Sequence, residues 1–90
     1  MYSVYILKSQ TTRRFYVGST EDVSRRLREH NGDLPSLGRS TLTGRPWTVV
    51  FSVRYGSRSQ AMAAERFIKR MKSRKWIENL IEGTHSLPDF

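Results

Sequence analysis

The amino-acid sequence predicts a small mixed α/β (α+β) domain, in which a three-stranded, largely antiparallel sheet is flanked by helices in the order β-β-α-β-α-α. Three segments rich in β-branched and aromatic residues predict the strands. Three other segments follow residues that can cap a helix and carry apolar side chains at helical spacing. Helices packed on a small sheet are the simplest layered arrangement of these elements. The pattern leaves open which strand is central.

The three strands are predicted from runs of apolar and aromatic residues. Residues 2–7 form a continuous run of the kind that is typical of a buried strand. The polar stretch 9–13 has the composition of a turn, and 15–17 follow with β propensity, so these two strands are predicted to form a hairpin that ends near Gly18. Residues 47–55 predict the third strand.

The first helix is predicted to begin within residues 19–22. Hydroxyl side chains there can cap free backbone N–H groups, and two carboxylates suit the positive end of a helix dipole. Val23 and Leu27 give this helix a narrow apolar stripe. The pair Asn31-Gly32 is a suitable C-terminal stop.

Two further helices are predicted after the third strand. Ser57 or Ser59 can cap the second helix, and Ser73 offers a break and a new cap for a short third helix. Both helices carry apolar residues on one face. These residues are Ala61, Ala64, Ile68 and Met71 in the second helix, and Trp76, Ile77, Leu80 and Ile81 in the third.

The chain of 90 residues is predicted to form one domain over residues 1–82, followed by a frayed tail over 83–90. No internal repeat and no Gly/Ser/Pro linker divides it. Residues 31–46 contain glycines and prolines among polar residues without periodicity, and this segment is too long for an ordinary connector. We therefore predict a substrate-facing loop there.

Composition favours a nucleic-acid partner. The chain has no cysteine, which excludes a disulfide framework and a thiolate zinc site. No apolar run approaches the roughly 20 residues that cross a bilayer, and no secretory signal is evident, so the prediction is a cytoplasmic protein without membrane contact. Sixteen Lys and Arg against eight Asp and Glu give a net charge of +8, which attracts polyanions. A merely solvated surface is the alternative interpretation of this charge.

Several catalytic templates are excluded by the sequence. It has no GxxxxGK[ST] loop, no GxGxxG turn and no HExxH helix, so we expect no nucleotide cofactor. A cysteine nucleophile is excluded by composition, and no nucleophile-elbow sequence supports a serine hydrolase. Only two histidines are present, which argues against a histidine-rich metal centre.

Five residues are difficult to explain by packing alone. Tyr5 and Tyr16 lie on the two hairpin strands and can approach each other across them, although strand tyrosines are commonly core residues. Glu65 lies on or beside the apolar stripe of the second helix, where a buried carboxylate needs a cation: a metal ion, Lys69 one turn later, or Arg26. Arg26 can equally belong to a solvated helix face.

His30 has the same ambiguity, since a lone histidine near a helix end is commonly a terminal residue that takes no part in catalysis.

Taken together, these residues resemble the GIY-YIG nuclease family, in particular its small standalone bacterial type, which is similar to the N-terminal domain of the excision-repair nuclease. Ser3-Val4-Tyr5 and Tyr16-Val17-Gly18 stand at the two tripeptides that give the family its name, although only the tyrosine of the first is retained. The following segment GSTEDVSRRLREHN is the more specific match. The resemblance covers roughly residues 1–82.

The resemblance implies a metal-dependent DNA endonuclease. Glu65 would hold one Mg²⁺ or Mn²⁺ ion, and Tyr16 would act as general base on the attacking water. A free phenol ionises only near pH 10, so a neighbouring cation is needed, and Arg26 is the natural candidate. Arg26 would also stabilise charge on the phosphate in the transition state. Tyr5 would hydrogen-bond near the same phosphate, and His30 would assist proton transfer or position the water.

DNA, duplex or branched, is the partner that the resemblance and the basic surface imply. Phosphate contacts of this kind give affinity without a choice of sequence. Asn79 is a further candidate for the site, and a protein partner is left open. The residues predicted to contact DNA are Arg25, Arg28, Lys69, Arg70 and Lys72.

Two other hypotheses are open at this stage. One is a nucleic-acid-binding module on the same scaffold with little or no nuclease activity, which the degenerate first tripeptide suggests. The other is a protein-interaction domain whose charge serves only solubility.

Overall fold

The computed structural model describes residues 1–32 and 44–90. Within them the predicted fold class and element order are confirmed. The sheet has the order β2-β1-β3, and both neighbouring pairs are antiparallel, so β1 is the central strand. The elements are β1 (Tyr2–Ser9), β2 (Phe15–Thr20), α1 (Val23–His30), β3 (Trp47–Tyr55), α2 (Arg58–Met71) and α3 (Arg74–Glu82).

The central strand β1 is buried on both faces, which explains its continuous apolar sequence. Val4 and Ile6 point to one face, and Tyr5 and Leu7 to the other; all four are fully buried. A strand that faces solvent on one side would alternate apolar and polar residues. Helices must therefore cover both faces of this sheet.

Helices α2 and α3 cover the face that carries Val4 and Ile6. Ala64 and Ile68 of α2, and Leu80 of α3, are buried in the core on this side. Helix α1 covers the opposite face, where Tyr5, Leu7 and Trp47 are buried and Val23 and Leu27 pack against them. The two faces of the sheet thus have separate cores.

The boundary between β2 and α1 differs from the prediction. Strand β2 continues past Gly18 to Thr20, and Asp22 is the N-cap of α1, where its side chain accepts a hydrogen bond from the backbone N–H of Arg25. No carboxylate lies in the first turn of the helix. The predicted cap Ser19 instead lies in β2 and pairs with Val4 of β1, so its backbone groups take part in the sheet and not in the start of the helix.

The other helix ends agree with the prediction. Asn31 is the C-cap of α1, and Gly32 follows with a φ of 83°. Ser57 caps α2 in a reciprocal capping box with Gln60. Ser73 caps α3 by accepting a hydrogen bond from the backbone N–H of Trp76.

The prediction of a frayed C-terminal tail is wrong. Leu87 and Phe90 are partly buried against the α2–α3 core, and the ring of Phe90 lies 5.9 Å from that of Phe67. His85 stacks on Trp76 at 5.5 Å between ring centroids. The apolar residues of the tail were too few to reveal this packing in a segment of polar and turn residues.

Most of the predicted substrate-facing loop, residues 33–43, lies outside the described residues. Its N-terminal end is anchored by Asn31, whose side-chain amide pairs with the backbone N–H and carbonyl of Trp47 at 2.6 and 3.1 Å. This contact ties the end of α1 to the start of β3. No helix of the described residues is long and apolar enough to cross a membrane.

Candidate active site

The candidate site lies at the edge of the sheet formed by β2. Tyr5 on the central strand is opposite Gly18, and its ring lies directly over this glycine. A side chain at position 18 would collide with the phenol, so the absence of a Cβ atom lets the ring of Tyr5 extend across the edge strand. The hydroxyl of Tyr5 therefore reaches the place where the α1 and α2 sides of the sheet meet.

The substitution Gly18→Ala is expected to destabilise the domain and to displace Tyr5. An added Cβ would lie 2.6 Å from the Tyr5 hydroxyl oxygen and 2.8 Å from its Cζ. Overpacking of this kind costs about 1–3 kcal/mol in the free energy of unfolding. Urea denaturation of Gly18→Ala measures the effect, and Gly56→Ala is the control. A Cβ at Gly56 would fit without a clash, because its nearest neighbour would lie at 3.5 Å. Equal stability of the two variants would contradict this account of Gly18.

Tyr5, Tyr16 and His30 form a cluster on the α1 side of the sheet. Tyr16 pairs with Leu7, so the two tyrosines are diagonal neighbours, with ring centroids 6.4 Å apart. The imidazole of His30 lies 4.5 Å from the ring of Tyr16, and its Nε2 is 3.4 Å from the Tyr5 hydroxyl. The predicted approach of the two tyrosines is confirmed, with His30 as a third member.

The electrostatic environment of this cluster keeps Tyr5 and His30 neutral near pH 7. Burial raises the pKa of Tyr5, although the nearby guanidinium of Arg26 opposes the shift. Burial and the positive charge of Arg26 lower the pKa of His30, and Glu29 opposes this. A neutral Nε2 can accept a hydrogen bond from the Tyr5 hydroxyl, and the guanidinium of Arg26 lies near that oxygen.

Arg26 brings a guanidinium to the site from α1. Its guanidinium lies near the Tyr5 hydroxyl, and this interaction, more than the others, raises the pKa of Arg26. The sequence suggested Arg26 as the cation beside Tyr16, whereas the interaction seen here is with Tyr5. On its own helix, Nη1 of Arg26 donates to Oε1 of Glu29 at 2.8 Å.

Glu65 reaches the same edge of the sheet from α2. Ser19 donates its hydroxyl proton to Oε1 of Glu65 at 2.7 Å, and Lys69 donates from Nζ to Oε2 at 2.6 Å. After burial, the electrostatic influence of Tyr16 and then that of Glu65 add to the raised pKa of Tyr5. Carboxylate, guanidinium and phenols from both sides of the sheet therefore lie within electrostatic range of one another.

Two clefts flank Arg26, which lines both of them. One, of about 350 Å³, is also lined by Ser19 and Arg58. The other, of about 500 Å³, is lined by Arg25 and Glu29. Thr20 and Glu21 also line both clefts, so the clefts adjoin, with Ser19 in one and Glu29 in the other.

The donor set around Glu65 fits a hard divalent cation that keeps most of its water. A carboxylate with an adjacent hydroxyl suits Mg²⁺ or Mn²⁺, which bind through one or two carboxylates together with waters and substrate phosphates. The described residues contain no group of three His, Cys, Asp or Glu side chains that could form a complete protein cage for a metal. Each Glu65 oxygen has a second lone pair beyond its present hydrogen bond.

Other predicted site residues are placed differently. Asn79 contacts the tail: its side chain lies 3.5 Å from Nε2 of His85, and its carbonyl accepts hydrogen bonds from Thr84. Lys69 is paired with Glu65, as the salt-bridge interpretation expected. Arg25 is paired with Glu29 at 3.3 Å. The remaining predicted DNA contacts, Arg28, Arg70 and Lys72, are exposed.

Two residues at the site were not singled out in the sequence. Glu29 is 8% exposed, and Ser19 holds Glu65. Ser19 has no signal beyond its place after Gly18, but Glu29 is three residues after Arg26 and four after Arg25, the spacing of helical ion pairs.

Comparison with known proteins identifies the class of protein that this fold and site define. Residues 1–79 match the model of the GIY-YIG catalytic domain, so the chain belongs to the GIY-YIG family, and the resemblance seen in the sequence is confirmed. A similar solved structure is the solution NMR structure of the UPF0213 protein BH0048 from Bacillus halodurans. It is 33% identical with a TM-score of 0.56, and the match covers 91% of this chain and 84% of that one.

Among curated proteins, the chain is similar to subunits of structure-specific endonucleases. It is 46% identical over 83 residues to the structure-specific endonuclease subunit SLX1 of Candida dubliniensis, and 32% identical over 105 residues to slx1 of Schizosaccharomyces pombe. These matches cover 87% and 98% of this chain, but only 29% and 39% of the relatives. The chain thus corresponds to less than half of either relative.

Proposed function

We propose that this chain is a metal-dependent DNA endonuclease that hydrolyses phosphodiester bonds at the edge of β2. The observation that carries the proposal is the convergence there of Tyr5, Arg26 and Glu65 from three different elements. A guanidinium and a carboxylate that can bind a divalent ion are the groups needed to stabilise a phosphate undergoing attack. Membership of the GIY-YIG family supports the same reaction class.

The two tyrosines are suited to different roles. Because burial raises the pKa of Tyr5, its phenol keeps its proton at neutral pH, and the fully buried hydroxyl can donate a hydrogen bond to His30 and so orient the imidazole. Tyr16 is less buried and packs on His30 at 4.5 Å between ring centroids. We assign Tyr16 as general base on the attacking water, with His30 next to it to position that water or to take up the proton.

Arg26 and Glu65 complete the proposed chemistry. The planar guanidinium of Arg26 carries five N–H donors and matches the charge that develops on phosphate oxygens in the transition state. Glu65, held by Ser19, would bind one Mg²⁺ or Mn²⁺ ion. When bound, such an ion polarises the phosphate and stabilises the leaving oxygen.

The substrate is proposed to be DNA, and branched DNA in particular. Net charge of +8 favours a polyanion, and the SLX1 relatives are named as structure-specific endonucleases. Exposed cations on α1 and near the end of α2 are proposed to contact phosphates beside the site. They are Arg25, Arg28, Lys69, Arg70 and Lys72.

The experiment that tests this proposal is cleavage of a substrate panel by the purified chain. Duplex, single-stranded and branched DNA are incubated with Mg²⁺, with Mn²⁺ and with EDTA. We expect cleavage that requires the metal and is fastest on branched DNA. Salt-dependent binding without cleavage under every condition would contradict the enzyme proposal and favour a DNA-binding module on the same scaffold. No DNA binding at low salt would favour a protein-interaction domain.

His30 is expected to make the protein less stable as the pH falls below about 6.5, the ordinary pKa of histidine. Burial first, and then the charge of Arg26, lower the pKa of His30, so the unfolded chain takes up this proton at a higher pH than the folded one. Between these two pKa values the unfolded state binds more protons, and the free energy of unfolding falls with the pH. At higher pH both states are neutral and the effect is absent.

Urea denaturation at a series of pH values measures this dependence in the wild type and in His30→Gln. The variant should lose less stability than the wild type as the pH falls through this window. Parallel pH dependence in the two proteins would show that His30 is not responsible.

A further inference from the structure

We infer that Glu29 is a positioning residue. It fixes the guanidinium of Arg26 in the orientation that stabilises the phosphate while water attacks it. The inference rests on the proposed function, because it assigns a task to Glu29 within that site. Glu29 is 8% exposed, an unusual burial for a carboxylate on a short helix whose residues are mostly polar. Burial of this kind requires cationic partners.

Both carboxylate oxygens of Glu29 have an arginine partner. Oε1 accepts from Nη1 of Arg26 at 2.8 Å, and Oε2 lies 3.3 Å from Nε of Arg25. The spacing is i to i+3 and i to i+4, so helix α1 itself holds the three side chains on one face. Of the two arginines, Arg26 has the shorter contact and the less exposed side chain, at 38% against 68% for Arg25.

Glu29 therefore anchors Arg26. It accepts a hydrogen bond from Nη1 at one end of the guanidinium, and the Tyr5 hydroxyl lies near the same group. A free arginine side chain has many rotamers, and ordering it during the reaction would slow the chemical step. With this anchor the planar group is ordered before the substrate binds, and its remaining N–H groups are available to a phosphate.

The carboxylate of Glu29 is engaged by arginine side chains, whereas that of Glu65 is held by Ser19 and Lys69. Glu29 lines one of two adjoining clefts, and Ser19, which holds Glu65, lines the other. The oxygens of Glu29 already face two guanidinium groups. Its contribution to catalysis thus acts through Arg26.

The test compares Glu29→Gln with the wild type by single-turnover cleavage and by DNA affinity. Glutamine keeps the shape of the side chain but loses the charge that holds Arg26. We expect the cleavage rate to fall about 10- to 100-fold, the range for a misplaced catalytic group. DNA affinity should stay the same or increase, because the variant removes a negative charge from a polyanion-binding surface. General damage to the fold would instead weaken both.

A second measurement does not depend on cleavage. NMR spectra of ¹⁵N-arginine-labelled protein report whether the Nη protons of Arg26 are held in fixed, distinct environments. We expect distinct Arg26 signals in the wild type and their collapse in Glu29→Gln. The matched control is Glu78→Gln, which removes a comparable helical pair, Arg74–Glu78 at 3.4 Å, on α3. This control should leave cleavage and the Arg26 signals unchanged.

The outcomes separate this inference from the proposed function. Wild-type cleavage in Glu29→Gln, or Arg26 signals that are unchanged in that variant, would overturn the positioning role. Failure of the wild type to cleave any DNA would overturn the proposed function, and the NMR comparison would still decide whether Glu29 orders Arg26.

Discussion

Replacing Glu65 with glutamine is expected to reduce metal-dependent cleavage by about 10³-fold or more. Metal-ion catalysis contributes several kcal/mol to a reaction of this class, and each 1.36 kcal/mol is worth about a factor of ten in rate. Glutamine can still accept the hydrogen bond from Ser19, which is 2.7 Å long in the wild type, so the local fold should persist. The variant removes the negative charge that a divalent ion requires.

Single-turnover cleavage with saturating Mn²⁺ measures this effect, and circular dichroism checks that the variant is folded. Glu78→Gln is the control, because Glu78 lies on α3 in a helical ion pair. If Glu65→Gln cleaves within a few-fold of the wild type, Glu65 is not the metal ligand and its pairing with Lys69 is purely structural.

Replacing Arg26 with alanine is expected to slow cleavage by about 10²–10³-fold, the usual effect of removing one group that stabilises transition-state charge. The loss should be in the chemical step, and DNA binding should weaken less, because many other cations contribute to affinity. Arg26→Lys should recover little of the rate, since an ammonium group lacks the planar fork that can contact Glu29, Tyr5 and a phosphate together.

Single-turnover rates and DNA dissociation constants of these variants give the comparison. Arg54→Ala on β3 is a matched control that removes an exposed arginine. A variant Arg26→Ala that binds DNA poorly but cleaves at the wild-type rate once saturated would assign Arg26 to binding alone. That result would also remove the basis for the positioning role of Glu29.

The sequence predicted the fold well because its local signals and its packing agree. The apolar run in β1 is compatible only with a buried strand. The serine caps and the apolar stripe of α2 favour the same helices that packing stabilises; these residues are Ser57, Ser73, Ala61, Ala64 and Ile68. The start of α1 was predicted less well, because Ser19 and Thr20 suit a helix cap as well as the end of a strand. Strand pairing decided between the two.

The contacts of the candidate site could be predicted only in part. Tyr5 and Tyr16 were expected to approach each other, and their ring centroids lie 6.4 Å apart, while Glu65 is near enough to influence the pKa of Tyr5. The sequence could not show that Arg26 would contact Tyr5, because this depends on how the Tyr5 ring crosses Gly18 at the sheet edge. Such a contact is set by tertiary geometry that has no local pattern.

Two other features were missed for identifiable reasons. Glu29 lies among arginines in a polar helix, where a charged residue is usually solvated, and its burial follows from the packing of α1 on the sheet. The tail packs through Leu87 and Phe90, two apolar residues in a stretch that otherwise has the composition of a loop.

The most direct test of the account is a crystal structure of the chain with Mn²⁺ and a short branched DNA that carries a non-cleavable linkage. The anomalous difference map is predicted to show one Mn²⁺ bound to the carboxylate of Glu65, with a phosphate between this ion and the guanidinium of Arg26. An ion bound away from Glu65, or DNA whose backbone lies on another face of the domain, would contradict it.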